Sequence, residues 1–125
     1  MGSPTAGEAP TEIQMNGETM RLLVEAPCCG SRRQCLDTNK YIIDVSEKRI
    51  IETIPAVRCN RGLQRIYEVE IAKEKANSVV IVEHYISNRG VNYLYFEIPR
   101  TPTPEIMSIV REILGLTEVR KIVVR

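Results

Sequence analysis

The sequence predicts a single α+β domain: a mainly antiparallel β-sheet with one amphipathic helix packed on it and a C-terminal strand. Three observations carry this. Residues 65–98 hold three strand-like runs, read as a meander, and the last two are joined by a short loop containing glycine. Residues 103–114 place apolar side chains at helical spacing between a proline-bearing start and a glycine stop. A chain of 125 residues, 43% of them hydrophobic, is long enough to bury a core as one domain.

Residues 1–12 are small and polar, with proline and glycine among them, and read as a flexible N-terminal tail; the domain is expected over residues 13–125. The tail lacks the basic start and apolar stretch of a signal peptide. Residues 13–15 and 19–26 flank Asn16-Gly17, a hairpin signal, with Leu22, Val24 and Ala26 facing one way. An irregular stretch follows over 27–40. Residues 41–46 and 49–54 form a second hairpin around Glu47-Lys48, in a register left open because Ile42-Ile43 and Ile50-Ile51 offer apolar side chains to both faces. After a loop over 55–63, Tyr67, Val69 and Ile71 alternate with Glu68 and Glu70. Residues 73–77 are one helical turn or a polar link.

The next hairpin has a definite expected register. A loop Asn88-Arg89-Gly90 suits a type I turn closed by a residue of positive φ, and glycine takes that conformation at least cost. It pairs His84 with Leu94, Val82 with Phe96 and Val80 with Ile98, which gives one face that is apolar apart from His84. The other face carries Ile81, Glu83, Tyr85, Tyr93, Tyr95 and Glu97, with Tyr85 opposite Tyr93. In the helix, Thr103 is the N-cap, Pro104 the first helical residue, and Gly115 the residue after the C-cap. Ile106, Ile109, Val110, Ile113 and Leu114 form its apolar face, which is expected to cover the apolar side of the hairpin. Residues 118–124 read as a closing strand at a sheet edge.

Net charge is +1, so no gross attraction to nucleic acid or membrane is expected. There is no apolar run of the roughly 18 residues that a membrane-spanning helix needs. A cytoplasmic protein is the expectation. Dense, balanced charge with abundant Ile and Val leans toward a thermophile. The basic excess is local: residues 28–66 carry eight Lys and Arg against four Asp and Glu.

Cys28, Cys29, Cys35 and Cys59 lack the Cys-x-x-Cys spacing of zinc ligands. Free or partly buried thiols are the leading reading, and a disulfide between the Cys28–Cys35 loop and Cys59 is the alternative if the source is hyperthermophilic. A phosphate-cradling Cys loop would need arginine six positions after the cysteine, where Gln34 and Cys35 stand. His84, on an apolar face, reads as a satisfied core residue. No cofactor and no metal site is expected.

The face bearing Tyr85, Tyr93 and Tyr95 offers base-stacking surface, with Arg89 at the hairpin tip and Arg32, Arg33, Arg58 and Arg61 in loops available to phosphate. Against this stand Glu68, Glu70, Glu83 and Glu97, expected to share or flank that face. Arg89-Gly90-Val91-Asn92-Tyr93-Leu94-Tyr95-Phe96 resembles the octapeptide of RNA-recognition motifs, agreeing in type at Arg89, Gly90, Tyr93, Leu94 and Phe96 and departing at Val91 and Asn92. The meander followed by a helix and a strand resembles the core topology of the PD-(D/E)xK nucleases. That resemblance implies metal binding between Glu83 and Glu97, but the family's lysine is missing after Glu97, where Ile98-Pro99 follow.

The sequence therefore points to a small, non-catalytic, homo-oligomeric binding protein. RNA or DNA is the favoured ligand, a protein-interaction module the alternative, and a diverged metal-dependent nuclease the minority reading. More apolar strand surface is present than one short helix covers. The early strands, or another subunit, are expected to supply a second layer.

Overall fold

Consecutive residues of a strand point to opposite faces, so an unbroken apolar run is buried throughout only when the sheet is covered on both sides. Val79, Val80, Ile81 and Val82 are such a run, and all four are buried. The computed structural model describes residues 11–26, 38–54, 65–98 and 102–124. In chain order these form β1 (Thr11–Asn16), β2 (Thr19–Ala26), β3 (Thr38–Asp44), β4 (Arg49–Ile54), β5 (Arg65–Ala72), a 3₁₀ turn (Lys73–Ser78), β6 (Val79–Ile86), β7 (Asn92–Ile98), α1 (Pro104–Leu114) and β8 (Lys121–Val124). They build an α+β domain of three layers. A three-stranded sheet, β1-β2-β5, packs on one face of a five-stranded sheet, β4-β3-β6-β7-β8, and α1 packs on the other.

Two apolar cores result, one on each face of the larger sheet. Between the sheets lie Met20, Leu22, Val24 and Ile71 from the smaller sheet and Ile42, Ile54, Val79 and Ile81 from the larger. Under the helix lie Ile43, Val80, Val82, Leu94, Phe96 and Val110, joined by Ile106, Ile113 and Leu114. Met107, which the spacing did not single out, joins them too. Burial of each large side chain contributes about 1.5–3 kcal/mol before entropy is subtracted. The early strands thus supply the second layer themselves.

The expected meander over 65–98 is corrected in one respect. β6 and β7 pair as an antiparallel hairpin, but β5 pairs with β2 in the smaller sheet, and the neighbour of β6 is β3. The reason is burial. β5 alternates, with Glu68 and Glu70 exposed and Ile71 buried, which suits a sheet covered on one side. β6 needs neighbours that tolerate cover on both sides, and β3 provides Ile42 to one core and Ile43 to the other. The 3₁₀ turn carries the chain from one sheet to the other, so the polar segment after β5 is helical in its tightest form. With β5 elsewhere, the topological resemblance to the nuclease core is lost.

Bulges settle the two registers. In the β3–β4 hairpin, Ile42 faces Glu52 while Ile43 faces Ile50, so Ile51 is an extra residue and packs on the inter-sheet core while Ile50 packs under the helix. In the β6–β7 hairpin, His84–Leu94, Val82–Phe96 and Tyr85–Tyr93 pair as expected, but Ile98 lies opposite Ile81 rather than Val80. The extra residue there is Glu97. The turn closes with Ser87 and Val91 hydrogen-bonded at 2.9 Å and Gly90 at φ 80°.

Helix α1 begins and ends as its caps dictate. Thr103 Oγ1 accepts from Ile106 N at 3.2 Å, and Gly115 at φ 71° lets Leu116 N donate to Arg111 O and Gly115 N to Glu112 O. Leu116, Val119 and Ile122 then pack against the core under the helix. β8 lies parallel to β7 at the sheet edge. β1 begins at Thr11, two residues inside the stretch read as tail.

The turn between β3 and β4 is held by Asp44, which is fully buried. Its Oδ1 accepts from Ser46 N at 3.0 Å, Ser46 Oγ at 2.7 Å and Glu47 N at 3.2 Å, and Lys75 of the 3₁₀ turn lies 3.2 Å from Oδ2. Lys75 also pairs with Glu47. Burial alone pushes the Asp44 carboxyl up, but the Ser46 hydroxyl, the Glu47 N–H and the Lys75 ammonium together hold it below the ordinary value. A carboxyl so depressed stabilises the fold fully above its unfolded pKa, and that stability is lost as pH falls through the folded value. Asp44→Ala should destabilise the protein by about 1–3 kcal/mol at neutral pH. It should also show a shallower fall in Tm on acidification below pH of about 4 than the parent. Thermal unfolding across that range checks both, and parallel acid limbs would show that the carboxylate is not what links the turn to the 3₁₀ segment.

Candidate functional site

The face of the five-stranded sheet that packs on the smaller sheet runs on past their shared core, toward the β6–β7 turn. Two cross-strand rows of side chains occupy this extension. The outer row holds Tyr85, Tyr93 and Lys121, and the inner row Lys40, Glu83, Tyr95 and Val123, each side chain beside the next on the neighbouring strand. The tyrosines and Glu83 are half-buried and Lys121 is exposed. The Tyr85 and Tyr93 rings stack, with centroids 5.8 Å apart and planes within 17°. Arg89 is exposed at the hairpin tip beyond this stack.

Between the rows and the apolar core sits an ion pair. Lys40 is only 5% exposed, yet Ile54 and Ile42 beside it are apolar. An ammonium buried there without a partner would cost several kcal/mol. Its side chain crosses β6 and reaches Glu97 on β7, with Nζ 3.2 and 3.3 Å from the two carboxylate oxygens. The bulge makes this contact, because Glu97 is the extra residue of β7. Glu83, Tyr95 and Glu97 each make a further interaction besides these.

The structure thus brings together Tyr85, Tyr93, Tyr95, Glu83 and Glu97 on one face, as the sequence pattern expects, with Arg89 at its tip. It removes Glu68 and Glu70 from that face, because β5 belongs to the other sheet, where both are exposed. Arg32, Arg33, Arg58 and Arg61, and all four cysteines with their possible disulfide, lie outside the described residues. Sequence reasoning missed Lys40 and Lys121. Lys40 shares the parity of Ile42, and that signal becomes legible only once β3 is known to pair with β6. Glu97, which no lysine follows closely in sequence, takes its ion-pair partner from another strand.

His84 is buried on the helix face, where its Nε2 lies 2.9 Å from Asn92 Oδ1, and Asn92 Nδ2 donates to Glu118 O at 3.2 Å. It is a satisfied structural residue that ties the hairpin to the approach to β8. Among the described residues, no group of three or more His, Cys, Asp and Glu side chains is placed to hold a metal ion. None of the described helices is long and apolar enough to cross a membrane. Comparison of the chain with known protein families, with curated proteins and with solved structures finds no match.

The Lys40–Glu97 pair predicts strong coupling. Glu97→Gln or Lys40→Met alone should cost about 3–5 kcal/mol by leaving one buried charge uncompensated, while the double variant should recover much of that loss. A double-mutant cycle in urea unfolding measures this. Additive losses would mean that the two groups do not stabilise one another.

Proposed function

We propose that the protein binds single-stranded nucleic acid on the tyrosine face of its five-stranded sheet, without catalysis. The observation that carries this reading is the half-buried Tyr85–Tyr93 stack, set in one row with the exposed Lys121, with Arg89 exposed at the hairpin tip. Bases stack on aromatic side chains with about 1–3 kcal/mol each, and cations along the margin attract phosphate. Glu97 contributes little net repulsion to this face because Lys40 neutralises it. Such a role accords with a cytoplasmic location.

The test is fluorescence anisotropy with a labelled single-stranded RNA and its DNA counterpart. Binding should weaken with added salt, fall about tenfold or more in Tyr93→Ala through lost stacking, and fall in Arg89→Ala with a shallower salt slope. Affinity unchanged in both variants would make the face structural. Mg²⁺- or Mn²⁺-dependent cleavage of the same strands by the parent protein would replace this reading with a nuclease.

A second reading, assembly with other chains, has its own observation. β8 is an edge strand whose outer side is unpaired among the described residues, and Val124 on it is 55% exposed. A homo-oligomer joined there should show two or more chains by native mass spectrometry at micromolar concentration, and Val124→Lys should shift it toward monomer. A monomeric parent would remove this reading.

A further inference from the structure

We infer that β8 pairs antiparallel with β8 of a second copy of this chain, joining two tyrosine faces into one surface that a single strand of nucleic acid crosses; the surface rests on the nucleic-acid reading above, the pairing on the assembly reading. The starting point is a contrast between sheet edges. β4, the opposite edge of the same sheet, is broken by the bulge at Ile51 and exposes Arg49 and Glu52. β5, an edge of the smaller sheet, exposes Glu68 and Glu70. Bulges and charges of this kind keep edges from pairing with other chains. β8 has neither between Ile122 and Val124, where β-branched residues follow one another in unbroken register with β7. Its outer side is unpaired among the described residues, and Val124 is 55% exposed.

A second copy fits this edge on both faces. Two identical edges close into a dimer by antiparallel pairing about a two-fold axis normal to the sheet. Centred on Val123, that pairing sets Val123 against its own copy and Val124 against the other copy's Ile122, so the exposed valine is covered. An axis normal to the sheet also keeps like faces on one side. The inner rows then run on through the axis, with Tyr95 and Val123 of each copy in line. Tyr93 and Lys121 of the two copies stand on either side of that line, with the Tyr93 positions about 20 Å apart across three strand spacings and four residues of rise. One strand reaches both aromatic stacks across an apolar middle, and each stack has a lysine beside it for phosphate.

The experiment uses the full chain with single-stranded RNA of about four and about twelve nucleotides, in native mass spectrometry and anisotropy. The longer strand should be held as one strand by two chains. It should bind roughly tenfold or more tighter than the shorter, because its second contact is intramolecular. Val124→Lys makes its change on the helix side, level with Phe96 and away from the tyrosines. It should give monomers, keep the affinity for the short strand and lose the advantage of the long one. A parent that stays monomeric with and without RNA overturns the inference. So does a dimer that survives Val124→Lys, or a long strand held by one chain, and each of these leaves the nucleic-acid reading standing as long as the strands bind. Dimers that bind neither strand overturn that reading, and the joined surface with it. Should Val124→Lys fail to fold, the stoichiometry and length dependence of the parent still decide: equal affinity for the two strands overturns the joined surface.

Discussion

The rest of the structure depends on the burial of one sheet from both sides. β6 carries Val79 and Ile81 to one core and Val80 and Val82 to the other, so neither face of its strand tolerates water. A sheet in that position needs two covers, and one helix supplies only one of them. The chain solves this by folding its first two strands and β5 into a separate sheet for the second face. The neighbour of β6 must then be a strand apolar on both sides as well. That requirement selects β3, with Ile42 and Ile43, over the one-sided β5.

Polar groups are placed where the layers change. Asp44 and Lys75 join the β3–β4 turn to the 3₁₀ segment that leads from the smaller sheet to the larger. Lys40 and Glu97 close the inter-sheet core at its other end, where β7 bulges. Each buried charge in these two pairs has its partner on a segment distant in sequence. Such pairs contribute little over an apolar replacement, but losing one member leaves a charge stranded, so they specify which segments belong together. The cover on the tyrosine side stops short of complete burial, and the stack of Tyr85 and Tyr93 stands half-exposed beyond the ion pair.

The charge layout of this face differs from that expected of a simple electrostatic binder. Net charge on the whole chain is +1, and the face itself mixes Lys40, Lys121 and Arg89 with Glu83 and Glu97. Bulk electrostatic attraction at this face is therefore weak.

Local features of this protein were legible in its sequence because their causes are local. Thr103, Pro104 and Gly115 bound the helix through hydrogen bonds within a turn of chain, and Asn88-Arg89-Gly90 sets the β6–β7 register near the turn, so the three tyrosines and two glutamates share a face as expected. The fold class followed from the same short-range patterns. Tertiary structure alone decided which strands become neighbours, because that choice depends on burial summed over distant segments. It moved β5, and with it Glu68 and Glu70, out of the sheet of the tyrosines, and it brought Lys40 across β6 to Glu97. It also placed the bulges at Ile51 and Glu97. A bulge reconciles the registers of strands already paired, and a lysine's partner is defined only once the intervening strand is in place.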